Sequence, residues 1–123
     1  MALNRRELIE LASALEERRE ALAAEIRREV ARARGETFSE VAGGVHDTGD
    51  EALADLVGDL DNAEVTRDLA ELRELEAARA RIADGSYGVC ADCGGDIPVA
   101  RLRAQPGALR CVACQARHEK TFR

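Results

Sequence analysis

The sequence predicts a mainly α protein: a long antiparallel coiled-coil hairpin with an acidic tip, followed by a small four-cysteine module and a short C-terminal helix. Three observations predict this fold. Leu, Ala, Glu and Arg dominate the first 84 residues, a composition typical of long helices and coiled coils. Only 2% of all residues are aromatic and 34% are charged, which leaves little material for a globular core. All 4 cysteines fall in two C-x-x-C pairs near the end of the chain.

The first helix is predicted from about residue 4 to residue 34. Asn4 followed by Glu7 is a capping-box pattern, and Gly35 is placed to end the helix. A coiled-coil seam requires apolar residues in heptads. The leucines of this seam recur every seven residues, at Leu8, Leu15 and Leu22.

A second helix is predicted to start near Asp50 and to run to Asp84, where Gly85 ends it. Its cap is either a capping box of Thr48 with Glu51 or Asp50 itself. Two helices of similar length joined by a compact loop most simply fold back as an antiparallel hairpin. We therefore expect a monomer with a hairpin domain at 1–84, whose tip is about 35–52, and a second domain at 85–123. The heptads alone also allow an intermolecular coiled coil. The apolar positions of the second helix are Leu53, Leu56, Val57, Leu60, Leu69, Leu72, Leu75 and Ile82.

The cysteines predict a four-cysteine zinc finger at 85–123. The two C-x-x-C pairs are separated by 17 residues, and four thiolates at this spacing can close a tetrahedron around one Zn²⁺. No fifth ligand candidate lies nearby, so we expect one structural zinc per chain rather than a catalytic ion. The candidate metal ligands are Cys90, Cys93, Cys111 and Cys114.

Two other uses of the cysteines are a pair of disulfides and a redox C-x-x-C site. Residues 1–30 are charged throughout and contain no apolar signal segment, so we expect a cytoplasmic protein with reduced thiols. A thioredoxin-like redox site needs a strand-rich context, which the sequence does not predict. No apolar run approaches the ~20 residues of a membrane span, so no membrane association is expected.

The acidic excess lies in the middle of the chain. Residues 35–66 hold 9 acidic and no basic groups, and the predicted hairpin places this charge at the end opposite the finger. These acidic groups either belong to a solvated loop, where they aid solubility, or bind a metal ion or the basic groups of a partner. Nucleic acid would be repelled, and the last predicted helix offers only Arg117 and Lys120, so sequence-specific DNA binding is not expected.

The acidic motif and the cysteine stretch together resemble the DksA/TraR family of bacterial transcription regulators. Asp47-Thr48-Gly49-Asp50-Glu51-Ala52 has that family's D-x-x-D-x-A pattern. The resemblance covers roughly residues 46–114. It implies binding to RNA polymerase, entry of the tip into the secondary channel toward the catalytic Mg²⁺, and altered lifetimes of open promoter complexes. The stretches similar to the family's finger are Tyr87-Gly88-Val89-Cys90, Arg101-Leu102 and Ala104-Gln105-Pro106.

By motif position, the resemblance implies particular roles for residues of this chain. Asp47, Asp50 and Ala52 would be the effective tip residues. Arg67, on the helical shaft, would contact polymerase. Longer family members share a guanosine tetraphosphate site with polymerase that is lined by basic side chains. The matching positions here are Glu74, Gln105 and Gln115, which argues against cooperation with that nucleotide.

The rival interpretation is an interaction module in which the finger docks one partner, the coiled coil docks another, and the tip is inert. An enzyme is not expected, because the sequence shows no nucleophile and base pair and no Gly-rich phosphate loop. The only histidines are His46 and His118.

Overall fold

The computed structural model describes residues 3–35 and 62–121. Within these ranges an isolated antiparallel bridge joins Val89 to Asp96, and the remaining regular structure is helical. The predicted mainly α class is therefore confirmed. None of the helices in these ranges has the length and hydropathy that a membrane crossing requires. The helices are α1 (Arg5–Arg34), α2 (Ala63–Asp84), α3 (Val99–Ala104) and α4 (Val112–Thr121).

Both ends of α1 follow the sequence signals. The backbone N–H of Glu7 donates to Asn4 Oδ1 at 2.8 Å, and the backbone N–H of Asn4 donates to Glu7 Oε1 at 3.1 Å. This reciprocal pair is the predicted capping box. After the last turn Gly35 adopts a φ of 71°, a left-handed conformation that glycine reaches without Cβ strain.

The start of α2 differs from the prediction. Asn62 Oδ1 accepts a hydrogen bond of 3.1 Å from the backbone N–H of Val65, so Asn62 caps a helix that begins at Ala63 rather than near Asp50. Residues 50–61, which the prediction placed in this helix, lie outside the described residues. The predicted end is confirmed, since Gly85 follows α2 with a φ of 86°.

The chain divides into two compact units, each with a part of α1 and a part of α2. The shaft unit is Glu16–Glu76, and the finger unit is Met1–Leu15 with Ala77–Arg123. The division into a hairpin domain and a finger domain at residue 84 stays a prediction about which parts fold independently.

In the shaft unit, α1 and α2 pack as an antiparallel pair within one chain. Arg18 donates two hydrogen bonds of 2.7 Å to the Glu71 carboxylate, and Arg19 Nη1 lies 3.0 Å from Glu76 Oε1. Arg19 pairs with Glu76, whereas Glu29, which comes later in α1, forms a hydrogen bond with Asp68, which comes earlier in α2. The two helices therefore run antiparallel, and the predicted antiparallel helix pair is confirmed for the described residues of this unit. The buried apolar residues of the seam are Leu22, Ala23, Ile26, Val30, Ala31, Val65, Leu69, Leu72 and Leu75.

In the finger unit, the start of the chain packs on the segment that precedes the first cysteine. Gly88 has a φ of 91°, and a Cβ atom there would lie 2.9 Å from Leu3 Cδ1, so only glycine allows this contact. The Tyr87 hydroxyl donates to the Pro106 carbonyl at 2.8 Å. The backbone N–H of Ile97 donates to the Gly88 carbonyl at 2.8 Å. These contacts fix the loop that carries Cys90.

Glu29 is a buried carboxyl in the seam of the shaft unit. Its side chain is 4% exposed, and its Oε2 atom has no hydrogen-bond partner. Burial raises the pKa of Glu29 to about 7, and a hydrogen bond and the negative charge of Asp68 add to this effect. Glu25 and Glu64 contribute further negative charge. The seam therefore contains a carboxyl group that is more stable in its protonated form.

We expect Glu29→Gln to stabilise the protein more at high pH than at low pH. The pKa of Glu29 is higher in the folded state, so the folded state binds more protons and the free energy of unfolding falls as the pH rises through the interval between the two pKa values. Above about pH 7 this decrease in the free energy of unfolding is complete. The gain from Glu29→Gln should therefore grow by about 1–2 kcal/mol between about pH 5.5 and about pH 8. Urea unfolding followed by circular dichroism measures this difference.

Glu20→Gln is the matched control, because Glu20 is an exposed carboxylate on the same helix. Its effect should be small at both pH values. An equal gain from Glu29→Gln at both pH values would contradict the assignment of Glu29 as the titrating group.

Candidate metal centre

The sulfur atoms of the four cysteines lie together in the finger unit. Their Sγ atoms are all within 4.8 Å of one another, and none forms a disulfide. Zn–S bonds of about 2.3 Å place the sulfurs of a tetrahedron about 3.8 Å apart, so these separations suit one Zn²⁺. A disulfide would require an S–S distance of about 2.05 Å. The geometry therefore favours the predicted metal site over the disulfide interpretation.

A tight turn holds the first cysteine pair. The backbone N–H of Gly94 donates to the Cys90 carbonyl at 3.0 Å, and the backbone N–H of Cys90 donates to the Gly95 carbonyl at 2.8 Å. Gly94 has a φ of 72°, and a Cβ atom on Gly95 would lie 3.4 Å from Cys93 Sγ. Glycine at these positions lets the backbone turn and approach the sulfur, as the sequence predicts.

The second cysteine pair lies at the start of α4. The helix begins at Val112, so Cys111 directly precedes it and Cys114 belongs to its first turn. The backbone N–H of Gln115 donates to the Cys111 carbonyl at 2.9 Å. The first turn contains no acidic residue, and the positive end of the helix dipole favours the thiolate form of a nearby cysteine.

Four sulfurs this close cannot all ionise without a cation. Burial disfavours the Cys90 thiolate, but backbone N–H donors from Cys93, Cys111 and Asp92 outweigh burial and lower the pKa of Cys90 to about 6. Arg117 donates to Cys114, yet burial and hydrogen bonds with the other three cysteines raise the pKa of Cys114 to about 12. A divalent cation removes this conflict because it stabilises all four thiolates. The donor set fits one structural Zn²⁺.

Hydrogen bonds between the two cysteine segments keep the pairs in register. Arg110 Nε donates to Asp92 Oδ2 at 3.0 Å, and Arg101 Nε donates to the Arg110 carbonyl at 2.9 Å. The backbone N–H of Ala91 donates to the Leu109 carbonyl at 3.0 Å. Because Asp92 lies inside the first pair and Arg110 directly precedes the second, these bonds connect the two pairs in the folded finger.

Of the other predicted site residues, Arg67 lies within the described residues, and it is not part of this cluster. Arg67 is an exposed residue of α2 in the shaft unit. Asp47, Asp50 and Ala52 lie outside the described residues. The sequence interpretation missed Arg117, whose Nη2 donates to Cys114 Sγ at 2.9 Å. Its position three residues after Cys114 on a predicted helix was the available signal, since such pairs share a helix face.

Comparison with known proteins gives one family for the finger. The model of the prokaryotic dksA/traR C4-type zinc finger matches residues 85–120, which include all four cysteines. No solved structure matches the chain.

Three relatives show how much of the chain is shared. An RNA polymerase-binding transcription factor DksA of Caulobacter vibrioides is 42% identical over 52 residues, which are 42% of this chain and 37% of the relative. An uncharacterized protein of Aquifex aeolicus is 38% identical over 66 residues, which are 54% of this chain and 43% of the relative. The chain thus spans less than half the length of both relatives. An uncharacterized 8.5 kDa protein of Escherichia phage 186 is 46% identical over 55 residues, and the match covers 39% of this chain and 73% of the relative.

We expect zinc removal to unfold the finger and to leave the shaft helices folded. Zinc binding contributes about 10–16 kcal/mol in small zinc domains, whereas the shaft unit buries its own apolar seam. Hydrogen–deuterium exchange of the protein, before and after treatment with a chelator, should show fast exchange in residues 86–114 after metal loss. Protection should persist in residues 16–34, the part of α1 that belongs to the shaft unit. Elemental analysis should give one zinc per chain before treatment. Protection of residues 86–114 that persists in the demonstrably zinc-free protein would contradict this expectation.

The structure and the comparisons agree on the finger. The four cysteines within the residues that match the C4-type family model are the ones that the fold brings together. The match with the phage 186 protein extends over most of that relative's length. The chain belongs to the prokaryotic DksA/TraR family of C4-type zinc-finger proteins.

Proposed function

We propose that this chain is a transcription regulator that binds RNA polymerase, inserts its acidic tip into the secondary channel, and alters the stability of open promoter complexes. The observation that carries the proposal is the similarity of this chain, whose residues 85–120 match the C4-type finger, to a relative named as an RNA polymerase-binding transcription factor. The protein acts by binding and has no catalytic activity of its own. It works as a monomer in the cytoplasm, where polymerase is found.

The helix pair of the shaft unit supports this role, because it is a stiff support for a functional segment. Residues 36–61 connect α1 to α2 along the chain, and they contain acidic groups but no lysine or arginine. Arg18, Glu71 and the apolar seam hold the two helices together in the shaft unit. A segment carried by such a pair can enter a narrow channel at low entropic cost.

Charge is the basis of the proposed action at the tip. Asp47 and Asp50 would bring carboxylates near the catalytic Mg²⁺ of polymerase, and Ala52 is the third tip residue of the same motif. In a low-dielectric channel a single carboxylate changes the local electrostatics strongly while adding little contact area. The exposed Arg67 of the shaft unit would instead contribute to affinity through contact with polymerase.

Guanosine tetraphosphate should add little to this action. Gln105 is exposed, and the Gln115 amide donates to Glu119 Oε2 at 2.9 Å. Burial raises the pKa of Glu74, and the charge of Glu71 raises it further, but an acid at this position offers no positive charge to a phosphate. A strongly anionic nucleotide lacks charged donors at all three positions.

We expect Asp50→Asn to remove the effect on open complexes while leaving polymerase affinity nearly unchanged. Asn keeps the shape of the Asp side chain and caps helices about as well, so the substitution removes the charge and little else. Arg67→Ala should do the reverse and weaken binding roughly 5-fold or more, which corresponds to about 1 kcal/mol. A competition assay for polymerase affinity, performed beside an open-complex lifetime assay at saturating protein, separates the two effects. Asp59→Asn is the control, because it removes one charge from the same connecting segment outside the D-x-x-D-x-A motif.

The possible outcomes separate the proposal from its rival. Unchanged lifetimes with Asp50→Asn at saturating protein would favour an interaction module with an inert tip. Failure of the unmodified protein to bind polymerase would overturn the proposal as a whole.

A further inference from the structure

We propose that Arg117 is a positioning residue of the metal centre: its guanidinium holds the Cys114 sulfur in the ligating orientation and slows the loss of zinc. Arg117 Nη2 lies 2.9 Å from Cys114 Sγ, so an exposed arginine donates to a buried sulfur. Both residues belong to α4, three positions apart, so the helix itself sets their relative placement. This inference concerns the metal site and does not rest on the proposed transcriptional function.

The hydrogen bond matters at Cys114 because this sulfur has no access to water. Cys114 is 1% exposed, whereas Cys93 is exposed and can share its charge with solvent. A Zn²⁺ ion with four thiolates carries a net charge of about −2, which is costly to bury without compensation. A guanidinium group that donates to the buried sulfur offsets this charge and reduces the affinity of the sulfur for protons and other electrophiles.

An arginine donates a hydrogen bond at each cysteine pair. Arg110 donates to Asp92 beside the first pair, so it acts through a carboxylate and not on a sulfur. Arg117 donates directly to a ligand atom of the second pair. Loss of Arg117 should therefore affect metal retention through Cys114, while the hydrogen bonds that hold the first pair remain.

Zinc release to an excess of a chromophoric chelator tests the proposal. Arg117→Met keeps an unbranched apolar stem like that of Arg117 but removes the guanidinium donor, and it should accelerate zinc release about 10-fold. Arg117→Lys restores a charged donor without the planar fork and should give an intermediate rate. Lys120→Met is the matched control, because it removes one positive charge from α4 at an exposed position and should stay within about 2-fold of the unmodified protein.

Cobalt substitution separates positioning of the sulfur from general support of the fold. Removal of a hydrogen bond makes a thiolate more electron-rich, so the sulfur-to-cobalt charge-transfer band of the Co²⁺ protein should move to lower energy in Arg117→Met. The ligand-field bands should stay those of a tetrahedral site with four sulfur ligands. A role in folding alone would leave the charge-transfer energy of the folded variant unchanged.

Each outcome decides the question. A release rate for Arg117→Met within about 2-fold of the unmodified protein, or an unshifted charge-transfer band, overturns the proposal. If Arg117→Met retains no metal at all, Arg117→Lys decides: restored zinc binding supports the positioning role, and equal loss overturns it.

Discussion

The fold of the finger unit depends on a cation that offsets the repulsion among four thiolates, because their sulfur atoms lie within 4.8 Å of one another. The hydrogen bonds of the turn after Cys90 and of the start of α4 bring the thiols together, and only a cation lets all four ionise. The buried residues around them, such as Tyr87, Ile97 and Leu102, form too small a core to be stable alone. Metal binding therefore provides the folding stability that a larger domain obtains from apolar burial.

The shaft unit is stabilised differently, and its construction suits a protein that presents a segment to a partner. Its seam is apolar for most of its length, with the ion pairs of Arg18 and Arg19 along its flank. Glu29 interrupts this pattern with a buried acid facing Asp68. A carboxyl group buried in a helix seam costs stability, and its hydrogen bond with Asp68 offsets part of this cost. Such a cost is tolerable because the remaining seam residues are well buried.

Local signals in the sequence were sufficient for much of the fold and for the metal ligands. The capping box of Asn4 and Glu7, the helix ends at Gly35 and Gly85, and the two C-x-x-C pairs act over a few residues, so their patterns are readable without tertiary structure. The cap at Asn62, the burial of Glu29 and the contact of Arg117 with Cys114 depend on which elements pack together or on which of several possible caps is used. The tip residues lie outside the described residues, so their roles rest on the motif alone.

X-ray absorption spectroscopy at the zinc edge tests the central claim, that four thiolates of one chain hold one zinc. We expect four sulfur scatterers at about 2.3 Å in protein with one zinc per chain. Replacement of one or more sulfurs by nitrogen or oxygen scatterers at about 2.0 Å would contradict the four-thiolate assignment and the account of the finger that depends on it.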